Sequence, residues 1–123
     1  MIIGVGIDIV EIERFKKLTE KWGEYFLKKI FTQREIDYCL SKKNFYQHLA
    51  GRFAAKEAIS KAIATGWGGI FRWKDVEILN DENGKPTVVL YNQLKEQFKS
   101  CFFHISISHS LNYAVSFALV EKN

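Results

Sequence analysis

FAAKEAISKA, residues 53–62, is a run of good helix formers rich in alanine, and it also carries Lys56, Glu57 and Lys61. At about 100° per residue, Ala54, Ala55, Ala58, Ile59, Ala62 and Ile63 share one arc, while Phe53, Lys56, Glu57, Ser60 and Lys61 share the other. The alanine arc predicts a helix that a second backbone approaches closely. The charged arc has two readings. Glu57 and Lys61 stand at i, i+4, and a surface pair of that spacing adds only ~0.2–0.5 kcal/mol to a helix. Alternatively Glu57 meets a second carboxylate, and the two hold an ion.

The segment that could supply it is IIGVGIDIV, residues 2–10. In a strand, Ile3, Val5, Ile7 and Ile9 fall on one face and Gly4, Gly6, Asp8 and Val10 on the other, so Asp8 sits on a face cleared by two glycines. A carboxylate in the middle of an apolar strand is disfavoured by desolvation and by β-propensity, and calls for a cation or several donors. One alternative is that Asp8 caps the helix that follows.

That helix spans residues 11–22, with Ile12, Phe15 and Leu18 as its apolar positions and Arg14, Lys17 and Lys21 as an exposed basic stripe at i, i+3, i+7. A second helix opens at Thr32, which forms a capping box with Glu35, while Phe31 and Ile36 supply the hydrophobic staple. The third runs from about Phe45 to Thr65, with Gly66 as its C′ residue and a glycine-containing loop at 66–72.

Beyond Trp73 the period becomes two. Val76 and Ile78, then Val88 and Leu90, flank DENGKP at 81–86, where Asn83-Gly84 signals a hairpin. A short helix at 91–99 precedes two further strands, FFHISIS and NYAVSFALV, joined around 108–111. The order predicts an α+β fold, a single domain over residues 1–123 with an antiparallel sheet and packed helices. Tyr113, Val115, Phe117 and Leu119 on one face of the last strand, and Ala114, Ser116, Ala118 and Val120 on the other, leave neither face suited to water, which predicts burial against another subunit.

Composition bounds the rest. With 123 residues, 47% hydrophobic and 26% charged, the chain is of globular type, and its formal net charge of +4 favours anionic partners. No apolar run approaches the ~20 residues of a membrane span, and MIIGVGIDIV lacks the basic start and cleavage site of a signal peptide, so no membrane association and a cytoplasmic location are expected. Cys39 and Cys101, without CxxC spacing, read as free buried thiols. The charge and the 15% aromatic content also suit a small nucleic-acid-binding module. No nucleic-acid motif occurs, however, most aromatics fall at core-periodic positions, and Asp8 and Glu57 without a metal would repel phosphate, so no nucleic-acid partner is expected.

If the strand packs beside the alanine arc, Asp8 and Glu57 bracket a hard divalent cation, with Lys61 one turn away to touch an anion bound to it; two carboxylates, waters and substrate phosphates are the usual Mg2+ environment. His109, among Ser106, Ser108 and Ser110, reads either as an exposed turn histidine or as a loop residue with a function. Lys85 follows the hairpin turn and by itself reads as a solvated hairpin-tip lysine. His48 and His104 read as structural.

Together, GIDIVEIERF at 6–15, GRFAAKEAISKA at 51–62, NGKP at 83–86 and HISISHS at 104–110 closely resemble holo-acyl-carrier-protein synthase, the short type of 4′-phosphopantetheinyl transferase. The resemblance implies that family's fold and transfer of 4′-phosphopantetheine from coenzyme A to a serine of apo acyl carrier protein, in support of fatty acid biosynthesis, with release of adenosine 3′,5′-bisphosphate. It further implies Mg2+ and a homotrimer with coenzyme A sites at subunit interfaces. Carried over by position, Asp8 and Glu57 are metal ligands and catalytic, Lys61 is catalytic and approaches the phosphates, and Arg52, Lys85 and His109 line the coenzyme A site. Arg14, Lys17 and Lys21 would dock the acidic carrier. The general base stays open, with Glu35 one candidate.

Overall fold

Helix α3, Phe45–Ile63, is the axis of the molecule and is buried on nearly every side. In the computed structural model, which describes residues 1–64 and 71–123, it lies against a three-stranded antiparallel sheet of order β1-β5-β4, formed by β1 (Ile2–Glu11), β5 (Tyr113–Lys122) and β4 (Cys101–His109). Its other side receives α1 (Ile12–Ile30) and α2 (Gln33–Leu40). The hairpin of β2 (Val76–Asn80) and β3 (Pro86–Leu90) and the short α4 (Asn92–Gln97) close one end. The expected helix end at Thr65, its Gly66 cap and most of the 66–72 loop lie outside the described residues.

The glycines decide how β1 meets α3. A Cβ at Gly4 would overlap the carbonyl oxygen of Ala62, and one at Gly6 that of Ala58, so strand and helix touch backbone to backbone. The alanine arc is the matching surface: Ala54, Ala55 and Ala58 are wholly buried, as are Ala114 and Ala118 on the inward face of β5. One apolar cluster fills the space between α3, the sheet and the hairpin. A second gathers Ile12, Phe15, Ile30, Phe31, Ile36 and Leu49 between α1, α2 and the first half of α3.

The local signals of the sequence operate as expected at two places. Thr32 Oγ1 accepts from the Glu35 amide while Glu35 Oε1 accepts from the Thr32 amide at 2.9 Å, completing the capping box. Gly84, at φ 82, makes the turn that pairs Asn80 with Pro86.

Four expectations are corrected. Leu18 is not an inward position of α1: the turn after Phe15 places Thr19 inside, its hydroxyl donating to the Phe15 carbonyl at 3.0 Å, and Leu18 is 41% exposed. The same helix continues past residue 22 to Ile30, with a break at Gly23, whose φ of 63 suits glycine. Lys56 does not belong to a charged surface: it is wholly buried, its ammonium donating to Glu35 Oε1 at 2.7 Å and to the carbonyls of Ile30, Trp73 and Val76 at 2.7–3.0 Å. Cys39 is buried, and burial pushes its thiol up to about 11, but Cys101 is only half-buried at the start of an edge strand. Among the described residues no helix is long and apolar enough to cross a membrane.

Candidate active site

Asp8 and Glu57 reach one cleft because β1 presents its glycine face to α3. Asp8 follows Gly6 by two residues on that face, and Glu57 precedes Ala58, the residue Gly6 rests on. Lys61, one turn on from Glu57, reaches across to the strand: its ammonium donates to Asp8 Oδ1 at 3.1 Å and to the Ile7 carbonyl at 3.0 Å. Its ion pair is therefore with Asp8, and Asp8 does not cap α1, whose first residues carry no side-chain cap. Burial pushes the Glu57 carboxyl above its ordinary range, the charge of Asp8 adds to the rise, and Lys61 opposes it. The cleft, about 640 Å³, is also lined by Arg14, Leu18 and Phe53.

Two partly desolvated carboxylates that repel each other, with one lysine between β1 and α3, form a donor set that a hard divalent cation would satisfy. Among the described residues no third His, Cys, Asp or Glu is grouped with them, so such an ion would complete its shell with water and with ligand oxygens. Glu35 is not available as a base here. Its two oxygens are engaged by Lys56, the Thr32 amide and the Ile78 amide, and it is fully buried.

A second, smaller cleft of about 200 Å³ holds Arg52 and His109 together with Tyr38, His48 and Asn80. Arg52 is buried, with its guanidinium 4.3 Å from the centre of the Tyr38 ring and one amino group donating to Asn80 Oδ1. Lys85 does not line this cleft, although its neighbours Gly84 and Pro86 do; its side chain borders the groove between the β3 and β4 edges. His48, expected to be structural, lines this cleft one turn before Arg52 on α3.

The model of the 4′-phosphopantetheinyl transferase superfamily matches residues 4–118. The chain belongs to that superfamily. Holo-[acyl-carrier-protein] synthase of Protochlamydia amoebophila is 50% identical to it over 119 residues, 97% of this chain and 98% of the relative. The structure is also similar to that of a holo-(acyl-carrier-protein) synthase from Bacillus anthracis in complex with CoA (3′,5′-ADP), with a TM-score of 0.82, 38% identity and coverage of 100% and 99% of the two chains. Against the Helicobacter pylori holo-[acyl-carrier-protein] synthase in complex with coenzyme A, the TM-score is 0.84 at 32% identity, covering 95% and 99%.

On this 4′-phosphopantetheinyl transferase superfamily member the basic stripe of α1 leads away from the first cleft. Arg14, Lys17 and Lys21 are all exposed, Arg14 lines the cleft, and Lys21 lies 5.3 Å from the centre of the Trp22 ring. Trp22 and Leu18 are exposed beside them, so the stripe is bordered by apolar surface.

Proposed function

We propose that the chain transfers 4′-phosphopantetheine from coenzyme A to a serine hydroxyl of an apo acyl carrier protein, releasing adenosine 3′,5′-bisphosphate and supplying holo carrier for fatty acid biosynthesis. The observation that carries this reading is the meeting of Asp8, Glu57 and Lys61 in one cleft with Arg14 on its wall. Membership of the superfamily and the names of its relatives support it.

In the reaction the serine oxygen forms a bond to the β-phosphorus of coenzyme A as the bond to the departing bisphosphate breaks, and the hydroxyl proton is released to solvent. Charge gathers on the phosphoryl oxygens and on the leaving phosphate, and groups already aimed there lower the barrier. The Lys61 ammonium, held at the cleft by Asp8 and the Ile7 carbonyl, supplies a fixed positive charge. Asp8 and Glu57 would hold Mg2+, which when bound neutralises phosphate charge. Phe53 and Leu18 wall the cleft with apolar surface, which strengthens those interactions by keeping water away.

The chain functions as a homotrimer in this reading. The outward face of the β1-β5-β4 sheet carries Val5, Ile7, Ile9 and Phe117 at 55%, 61%, 63% and 43% exposure, and Ile7 and Phe117 are paired across the strands. An apolar surface of that kind is covered in stable proteins. Assembly also accounts for the separation of the candidate residues: a coenzyme A at the interface would use Asp8, Glu57 and Lys61 of one copy and the Arg52 and His109 cleft of the next, with Lys85 reaching in from the adjoining groove. Incubating the protein with coenzyme A, Mg2+ and an apo carrier and weighing the carrier intact tests the function. A gain of one phosphopantetheine is expected, and an unmodified carrier refutes the reading.

A further inference from the structure

We propose that Glu11 is the general base of the transfer, the group that accepts the proton of the attacking serine hydroxyl and passes it to solvent. The proposal rests on the phosphopantetheinyl transfer assigned above and names the residue that activates its nucleophile.

The cleft holds three carboxylates, Asp8, Glu57 and Glu11, and no imidazole or thiol among the described residues. Asp8 and Glu57 form the donor set for a cation, and Glu11 does not join them in a group of three that could hold one. Three steps along β1, ~3.3 Å each, set the Glu11 backbone about 10 Å beyond that of Asp8. That offset suits a base and not a ligand. A phosphorus held between Asp8, Glu57 and Lys61 must stand ~3–3.5 Å from the attacking oxygen, and the base ~2.6–3.2 Å from that oxygen on its far side. The carboxylate that takes the proton therefore lies several ångströms beyond the other two, on the side from which the nucleophile comes.

Glu11 lies on that side. It closes β1 at the start of α1, and at i, i+3, i+7 it shares a helical face with Arg14 and Leu18, both of which line the same cleft. A carrier laid along the basic stripe of α1 thus brings its serine to the Glu11 end. For docking alone a carboxylate is out of place there, because it repels an acidic partner and sits at the head of Arg14, Lys17 and Lys21 with the opposite sign. Nor is the side chain used by the helix: Glu11 is the N-cap residue of α1, yet it makes no capping hydrogen bond. The charged and titratable groups that line the cleft with it are Asp8 of β1, Arg14 of α1, Glu57 and Lys61 of α3, and Tyr113, its register partner on β5.

As the serine oxygen bonds to the β-phosphorus, its O–H bond breaks toward a Glu11 carboxylate oxygen. The departing bisphosphate keeps the electron pair of the bond it loses, and Glu11 then gives the proton to water. A carboxylate in this role recurs where a substrate hydroxyl attacks phosphorus.

Rapid-quench single turnovers at saturating coenzyme A, Mg2+ and apo carrier measure the chemical step apart from product release. Glu11→Gln should slow that step by about 10²-fold or more, as loss of a general base does. Its KM for the carrier and for coenzyme A, and its affinity for Mn2+ read by electron paramagnetic resonance, should stay near wild type. The wild-type rate should fall on acidification along a limb that Glu11→Gln lacks. Glu11→Ala should be slowed as much, and added formate, a mobile carboxylate, should restore part of its rate. A wild-type single-turnover rate in Glu11→Gln would overturn the proposal. So would a raised carrier KM at unchanged rate, weakened Mn2+ binding, or a loss in Glu11→Ala that formate leaves untouched. A wild type that modifies no carrier would instead refute the assigned function, and this proposal with it.

Discussion

Lys56 Nζ lies 2.7 Å from Glu35 Oε1, and neither side chain has any exposed surface. Each has further partners, so the pair ties α3 to the start of α2, to the last carbonyl of α1 and to β2. Lys56→Met should leave the Glu35 charge buried without its cation and cost ~3–5 kcal/mol. Urea unfolding would show a lower midpoint at an unchanged slope. The double variant Lys56→Met/Glu35→Gln should recover part of the loss; strictly additive effects of the two substitutions would contradict a coupled pair.

Glu57 costs the fold stability at neutral pH, in exchange for the metal-ligand role proposed for it. Burial and the neighbouring Asp8 raise its carboxyl above the unfolded value, so between the two values the folded chain binds more protons than the unfolded one. Stability therefore falls as pH rises through that window, and the full penalty persists at neutral pH. Glu57→Gln should melt a few degrees higher than wild type at pH 7, with the difference vanishing below the unfolded carboxylate range. The same variant should lose transfer by on the order of 10²-fold or more. Added Mg2+ should raise the melting temperature of the wild type but not of the variant. Near-wild-type turnover in Glu57→Gln at saturating Mg2+ would remove Glu57 from the metal site.

The outward sheet face should hold three copies together. Light scattering should return about three times the 14.3 kDa chain mass. Phe117→Glu, or Ile7→Lys on the adjoining strand, should yield monomers that bind coenzyme A weakly, since each would keep only one half of the composite site. A wild-type monomer with full activity would exclude interface sites.

Charge reversal on α1 tests carrier docking. Exposed charges act mainly on encounter, and at 0.15 M salt the screening length is about 8 Å, so their influence should fade as salt rises. Lys17→Glu with Lys21→Glu should raise the KM for the carrier several-fold at low salt and flatten its salt dependence, while the KM for coenzyme A moves little. Carrier kinetics identical to wild type at low salt would leave the stripe as a solvated helix face.

What the sequence made legible was local. The capping box at Thr32, the turn at Gly84 and the alternation of the last two strands depend on residues close in sequence, and each forms as its pattern indicates. The pairing of Asp8 with α3 was legible as well, because two glycines facing an alanine arc leave few other ways to pack. Lys56 was not: its four acceptors come from Ile30, Glu35, Trp73 and Val76, and a helical wheel contains none of them. Nor was Thr19, whose hydroxyl is satisfied by its own helix and so occupies an inward position that an apolar period assigns elsewhere. The ring contacts of His48 were not legible either, because its partners sit on α2 and β4, outside its own helix.

The contact of Gly4 and Gly6 with α3 also has a genetic consequence. A lesion in an ordinary core can be suppressed by shrinking whatever the new side chain strikes. Here the obstacles are the carbonyl oxygens of Ala62 and Ala58, which every amino acid carries. No replacement at those two positions can make room, so revertants of Gly4→Ala or Gly6→Ala should restore glycine itself rather than arise at a second site along the helix.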